Sequence, residues 1–297
     1  MREIKNITVF GAGLMGAGIA QVSAEAGYRV CLIDINQEIV HKSIESICKR
    51  WESKIKKGTL TAEDAKKYCS NLFGSADKTM VSNADLVIEA IVEKYEVKSK
   101  LFKELGELCG EDIILATNTS SISISKLASV VQNPERFIGL HFFSPVPVMK
   151  LLEIIPGFQT AEEVFNEMKQ FGENIGKVCI KSKDTYGFIV NRLLDPMINE
   201  AIRMLDEGVG TIEDIDNGMK YGCGHPMGPF ELIDMAGIDV EYMVMQVFYE
   251  QTGNPLHLPA PLLKKMVDSG YIGKKAKKGF YIYHEDGSKS VNPIFNR

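Results

Sequence analysis

Ile7-Thr8-Val9-Phe10-Gly11-Ala12-Gly13-Leu14-Met15-Gly16 carries an apolar strand straight into a helix. Gly11 permits a tight turn, Gly13 lets the backbone approach an anion, and Gly16 lets helix and strand pack closely. The first free N–H groups of the helix, around Leu14 and Met15, then face a pyrophosphate, and the helix dipole favours its negative charge. Asp34 ends the next apolar run, eighteen residues beyond Gly16. A carboxylate there accepts a hydrogen bond from a ribose 2′-hydroxyl and repels a 2′-phosphate. No Arg or Lys follows in Ile35-Asn36-Gln37, so the pattern predicts a dinucleotide site that takes NAD in preference to NADP. A merely structural strand–turn–helix would explain the glycines and leave Asp34 unexplained.

Around that turn the composition is that of a soluble globular protein, with 297 residues, 45% hydrophobic and 25% charged. The length suits two domains, each with its own core. A net charge of −5 leaves no global basic field for nucleic acid, so a phosphate-bearing ligand must be held by local features. Cys31, Cys48, Cys69, Cys109, Cys179 and Cys223 are scattered, with no CxxC pair and no His at metal-ligand spacing, which fits a reducing cytoplasm and predicts no metal. Met1-Arg2-Glu3-Ile4-Lys5 leads directly into the first strand and leaves no room for a signal peptide; no apolar run is long enough to span a membrane.

Strand-like runs at 4–10, 29–33, 86–90, 113–117, 137–142, 151–155 and 178–180 alternate with helical patterns, notably 14–26, 37–57, 61–70, 95–109 and 161–175. Such alternation predicts an α/β fold, a doubly wound parallel sheet of Rossmann type. The exception is 142–150, where Pro145 and Pro147 forbid a helix, so the strands on either side should be antiparallel neighbours. Near Lys183 the character changes. Strand patterns cease, and Val190, Leu194, Met197, Ala201 and Leu205 recur at helical spacing up to Gly208. Thr211 reads as an N-cap, and further helices are expected at about 230–236, 238–251 and 260–269. The division is therefore placed at 1–183, a dinucleotide-binding domain, and 184–297, an all-helical C-terminal domain whose polar end from His284 should fray.

Open α/β sheets bind ligands at the carboxyl edge of their strands, and three segments should meet there. Thr117-Asn118-Thr119-Ser120-Ser121 follows one strand, His141 ends another, and Glu153 lies in the strand that returns beside it. The antiparallel return brings Glu153 against the His141 ring. Hydride transfer from a secondary alcohol requires removal of the hydroxyl proton, and imidazole, with a reference pKa of about 6.5, suits that task. A carboxylate on the other ring nitrogen fixes the tautomer and stabilises the imidazolium. A carboxylate among four aliphatic residues also needs a partner. Singly, the two would read as a core histidine bonded to a carbonyl and an edge-strand glutamate facing solvent; the pair beside a cofactor site outweighs that.

Other candidates carry two readings each. Ser120 is a donor to a substrate oxygen or a cap for the helix after 122. Asn191 aims its amide at a developing oxyanion or lies on a helix surface. Glu93 and Lys98 touch cofactor or belong to a solvated helix start. Lys54, Lys56 and Lys57 complement a helix C-terminus or clamp the phosphates of a large acidic ligand. Lys274–Lys278 reads as a solvated basic loop, and Asp214-Ile215-Asp216 as dipole compensation in a first helical turn.

These residues resemble the 3-hydroxyacyl-CoA dehydrogenase family, and within it the short-chain-preferring bacterial 3-hydroxybutyryl-CoA dehydrogenases. The matching stretches are 11–20, 85–93, 118–121, 141–151, 187–192, 225–232 and 279–281, in family order along the chain. The resemblance implies that His141 is the catalytic base and acid, Glu153 its orienting partner, and Ser120 and Asn191 the groups that bind substrate oxygens. It implies that Glu93, Lys98, Asn118 and Ser120 line the NAD site and that the lysine-rich end of the 37–57 helix, with Lys54 and Lys57, meets coenzyme A. It further implies a short-chain acyl-CoA substrate and a homodimer paired through the helical domain. Ser144 stands where the family usually has asparagine and Tyr186 where it has proline. Two other readings compete: an NAD enzyme acting on a free 3-hydroxy acid, which usually uses a lysine base, and a catalytically silent NAD-binding protein, which would have lost His141, Glu153 or Asn191.

Overall fold

Residues 3–295 are described by the structure, a computed structural model; Met1 and Arg2 of the expected leaderless start, and Asn296 and Arg297 of the polar end, lie outside the described residues. Two compact units divide between Phe188 and Ile189.

The alternation in the first unit gives β1 (Asn6–Phe10), α1 (Leu14–Glu25), β2 (Arg29–Ile33), α2 (Gln37–Lys56), α3 (Ala62–Asn71), β3 (Leu72–Ser75) and β4 (Leu86–Glu89). There follow α4 (Tyr95–Leu108), β5 (Ile114–Thr117), α5 (Ile124–Ala128), β6 (Phe137–Phe142), β7 (Leu151–Pro156), α6 (Glu162–Asn174) and β8 (Val178–Lys181). The eight strands form one sheet in the order β3-β2-β1-β4-β5-β6-β7-β8. All neighbours are parallel except β6 and β7, which pair antiparallel across the proline-bearing turn as the short connection requires. The order reverses between β1 and β4, and ligands of open sheets bind at such a switch. Helices cover both faces, so strand residues are buried on both sides: Ile7, Val9 and Leu32 pack toward one helical layer, Phe10, Val87 and Leu115 toward the other.

Strand β3 is not among the expected runs. Its four residues, Leu72-Phe73-Gly74-Ser75, are too short for a periodic signal, and Gly74 weakens the strand pattern. That glycine is required by packing, since a Cβ there would overlap the Val40 side chain of α2.

The second unit contains α7 (Val190–Asp206), α8 (Ile212–Asn217), α9 (Pro229–Ala236), α10 (Ile238–Thr252) and α11 (Pro261–Asp268), with Thr211 capping α8. It is helical, with one addition that corrects the expected end of strand structure. β9 (Tyr281–Tyr283) and β10 (Lys289–Val291) pair antiparallel, where the polar composition predicts fraying from 284. The cause lies in two buried aspartates that the sequence disguises. Asp234 accepts the N–H groups of Phe280 and Tyr281, each at 2.9 Å. Asp216 accepts the Phe230 N–H at 2.8 Å and the Tyr281 hydroxyl at 2.7 Å. Asp216 is thus not a first-turn charge; it caps the start of α9 and ties down the hairpin. Burial pushes the Asp234 carboxyl up to about 6 against the pull of these donors. Among the described residues no helix is long and apolar enough to cross a membrane.

Candidate active site

The glycine turn is built as its residues require. Gly11 has φ +100°, and a Cβ on it would strike the Ala90 carbonyl; one on Gly16 would overlap the Gly11 carbonyl. Gly13 is the N-cap of α1, with no side chain capping the helix and open space where its Cβ would lie. The N–H groups of the first turn are therefore turned outward, with Leu14 73% exposed. Asp34 braces this turn from the end of β2: one carboxylate oxygen accepts the Ala12 N–H at 2.7 Å, the other the Ile35 N–H at 2.8 Å. Each oxygen keeps a lone pair for a sugar hydroxyl. A cavity of about 420 Å³ opens beside it, with Phe10, Ile33, Ile35, Ile91, Val97 and Leu101 among its walls, a slot of the apolar kind a flat base occupies. Turn, open helix end, carboxylate and slot fit a dinucleotide.

Because β6 runs parallel to β5, His141 reaches the same edge of the sheet as Gly11 and Asp34, and the antiparallel β7 places Glu153 directly across from it. His141 Nδ1 lies 2.7 Å from Glu153 Oε2, with Glu153 fully buried and His141 7% exposed. In so short a contact with a carboxylate Nδ1 bears the proton, and Nε2 is the nitrogen left to work. The ring is walled by Phe143 and Phe188, at 4.5 and 5.5 Å between centroids. Phe188 holds φ +48°, a conformation unusual for a bulky residue, which sets its ring against the imidazole.

The 118–121 loop is held by a buried charge cluster. Lys98 on α4 is fully buried and donates to Glu89 at 2.6 Å, Glu93 at 3.1 Å and the Asn118 carbonyl at 3.4 Å. Its three N–H directions are thereby spent. The ammonium is enclosed by these partners and holds the loop through them. Glu89, at the end of β4, also accepts the Thr117 hydroxyl at 2.6 Å and the Ile91 N–H at 2.7 Å. Burial pushes its carboxyl up against the pull of Lys98. Glu93 gathers the loop, accepting from the Thr119 hydroxyl and from the N–H of Ser120 at 2.9 Å. Burial alone would raise its carboxyl; Lys98 and the loop donors outweigh that and hold it below the usual carboxylate range. Asn118 links the loop to β6, its Oδ1 accepting the N–H of Phe142, the neighbour of His141, at 3.0 Å. Ser120 is not a helix cap, since α5 is capped by Ser123 and its first N–H groups are taken by Asp184. Glu89 escapes a reading of the sequence, its one sign being a glutamate that closes an apolar strand ahead of a lysine-bearing helix, and Thr117 is legible there only as part of the 117–121 segment.

A second cavity, about 550 Å³, lies between α1, α2 and the turn after β6, lined by Gly13, Ser46, Arg50, Lys54, Val146 and Val148 among others. Lys54 is on its wall, though also paired with Glu25 at 3.3 Å. Lys57, the C-cap of α2, is exposed and absent from it, so of the two expected lysines only Lys54 has the placement. Arg50, one helical turn earlier, is a cation the sequence does not single out. Its Nε donates to Gln21 at 2.7 Å, which aims the guanidinium along the wall. Gly18 of α1 allows the Val146 turn to approach, and the buried Lys177 ammonium pins that turn through the Val146 and Met149 carbonyls. Ser144 is exposed in the same turn. Asn191 is the second residue of α7, partly buried, and belongs to the other unit.

Two family descriptions match the chain: "3-hydroxyacyl-CoA dehydrogenase, NAD binding domain" over residues 6–185, and "3-hydroxyacyl-CoA dehydrogenase, C-terminal domain" over 187–283. A probable 3-hydroxybutyryl-CoA dehydrogenase of Bacillus subtilis is 43% identical over 96% of this chain and 100% of its own length. The human mitochondrial hydroxyacyl-coenzyme A dehydrogenase is 45% identical over 94% of this chain and 91% of its own. Among solved structures, the (S)-3-hydroxybutyryl-CoA dehydrogenase PaaH1 of Ralstonia eutropha superposes with a TM-score of 0.93 at 43% identity, covering 95% of this chain and 100% of that one.

Proposed function

The chain belongs to the 3-hydroxyacyl-CoA dehydrogenase family, and from that premise we propose that it interconverts (S)-3-hydroxybutyryl-CoA, or a close short-chain homologue, and acetoacetyl-CoA with NAD, using His141 and Glu153 to move the proton. The observation that carries the proposal is the 2.7 Å contact between His141 and Glu153 at the sheet edge that also bears the glycine turn.

Bound NAD supplies the hydride acceptor in the oxidative direction. The residues of the chain manage the proton. His141 Nε2 takes it from the C3 hydroxyl, and the imidazolium so formed is stabilised by Glu153 at Nδ1. In the reductive direction Nε2 returns the proton to the C3 oxygen. The Ser120 hydroxyl and the Asn191 amide donate to substrate oxygens and polarise the ketone. Glu93, Asn118 and Lys98 hold the loop that presents Ser120. The acyl-CoA lies along the α1–α2 cavity, with Arg50 and Lys54 meeting its phosphates. Asp34 accepts from the ribose of NAD and turns NADP away.

Six cysteines with no disulfide among the described residues support a cytoplasmic setting. Leu193, Tyr221 and Met243, exposed in the second unit, support a homodimer paired through it. The test follows NADH absorbance with acetoacetyl-CoA, free acetoacetate and longer 3-ketoacyl-CoA esters, each repeated with NADPH, on enzyme whose mass is read by sedimentation. Expected is a dimer whose kcat/KM for acetoacetyl-CoA exceeds that for free acetoacetate, and that for NADPH, by at least about a hundredfold. Equal rates with the free acid would overturn the acyl-CoA reading, no oxidation of NADH with any ketone the enzymatic one, and a monomer the assembly.

A further inference from the structure

Of the six cysteines, Cys48 and Cys69 stand together: their Sγ atoms are 3.8 Å apart, in van der Waals contact, although 21 residues separate them in sequence. Cys48 is on α2 and half-buried; Cys69 is on α3 and exposed. The two helices are locked side by side by Trp51 of α2 and Tyr68 of α3, whose rings lie 5.7 Å apart. The thiols thus meet across a rigid contact. From that juxtaposition we propose that Cys48 and Cys69 form a reversible disulfide when the enzyme meets a hydroperoxide, a modification site outside the active site.

The roles follow from access. Of the two, Cys69 is the sulfur a peroxide in solution reaches, and its thiolate attacks one peroxide oxygen, giving Cys69 sulfenic acid and releasing hydroxide. The Cys48 sulfur then attacks the Cys69 sulfur; the S–S bond forms, the S–O bond breaks, and the Cys48 proton leaves with the hydroxyl as water. Two thiols and one hydrogen peroxide thereby give one disulfide and two waters. Burial, with the neighbouring Cys69 sulfur, pushes the Cys48 thiol up to about 11, so Cys48 serves as the resolving thiol and not as the first target. Closing the sulfurs from 3.8 Å to the bond length of about 2.05 Å is within reach of side-chain rotation at the exposed Cys69 and a small helix adjustment. Of the others, Cys31 is buried in the sheet and Cys179 donates to the Lys169 carbonyl at 3.7 Å; Cys223 is exposed like Cys69, but among the described residues the thiol–thiol contact that could resolve a sulfenic acid is that of Cys48 with Cys69.

Cys48 projects from the side of α2 opposite Ser46, Arg50 and Lys54, because two residues along a helix turn the side chain through about 200°. The bond should therefore tie α2 to α3 and leave the cavity wall in place. Its role would be protective, since a sulfenic acid that is resolved at once escapes irreversible oxidation.

The test treats the reduced full-length enzyme with hydrogen peroxide, then counts thiols, maps peptides without reduction, and measures melting and turnover. Expected are loss of two thiols out of six, a Cys48–Cys69 linked peptide, a melting temperature raised by about 5 °C, turnover kept within about twofold, and reversal by dithiothreitol. In Cys48→Ser the link should vanish and Cys69 should pass on to sulfinic acid at the same peroxide dose. Sulfinic acid on Cys69 in the unsubstituted enzyme with Cys48 untouched, or links only between separate chains, would overturn the proposal.

Discussion

His141→Gln is expected to lower kcat for acetoacetyl-CoA reduction by about a thousandfold while NADH binds within about threefold of its normal affinity, the loss typical of removing a positioned general acid. The glutamine amide can still donate toward Glu153, so the buried carboxylate keeps a partner, but nothing replaces the second ring nitrogen. His141→Asn offers an amide N–H nearer the Nδ1 position and serves as the folded control. Steady-state kinetics with NADH binding followed by fluorescence checks the split. Turnover near normal in both variants would remove the histidine from the chemistry.

Lys98→Met is expected to have the largest effect on stability of any single change near the site. It leaves the fully buried Glu89 without its counter-charge, and breaking one partner of a buried pair costs about 3–5 kcal/mol, or roughly 10 °C in melting temperature for a chain of this size. Adding Glu89→Gln should restore most of that loss, because a neutral amide tolerates burial, its oxygen accepting the Ile91 N–H while its NH2 donates to the Thr117 hydroxyl oxygen. Thermal unfolding of both variants and the double variant reads the coupling. A melting temperature within about 2 °C of normal for Lys98→Met would show that the pair is not what holds the 118–121 loop.

Much of the fold and half of the site are legible in the order of the residues. The glycine turn, Asp34 and the alternation of strand and helix are local signals, each requiring particular residue types at fixed spacing. The antiparallel return is legible because Pro145 and Pro147 leave the chain no room for a crossover helix, and that constraint alone sets Glu153 opposite His141. What escapes are features whose partners lie far apart in sequence. Lys98 is named as a candidate in the sequence, but its enclosure is hidden until the fold places Glu89, Glu93 and Asn118 around it. Arg50 lies mid-helix, where only the neighbouring α1 shows which face is a wall. Asp216 and Asp234 look like surface aspartates, yet they fasten a hairpin 46 and more residues away, which is why the polar end pairs instead of fraying. Strand β3 is hidden because four residues with an internal glycine give no periodicity.

The central claim is that the imidazole performs proton transfer because a buried carboxylate holds its far nitrogen. The most direct test is kcat for acetoacetyl-CoA reduction by Glu153→Gln, measured with NADH saturating and its affinity determined separately. A fall of at least about a hundredfold with NADH affinity within about threefold of normal is predicted, since a glutamine can hold the wrong tautomer and cannot stabilise the imidazolium. Turnover within about threefold of the unsubstituted enzyme, in a protein that still folds and binds NADH, would contradict it.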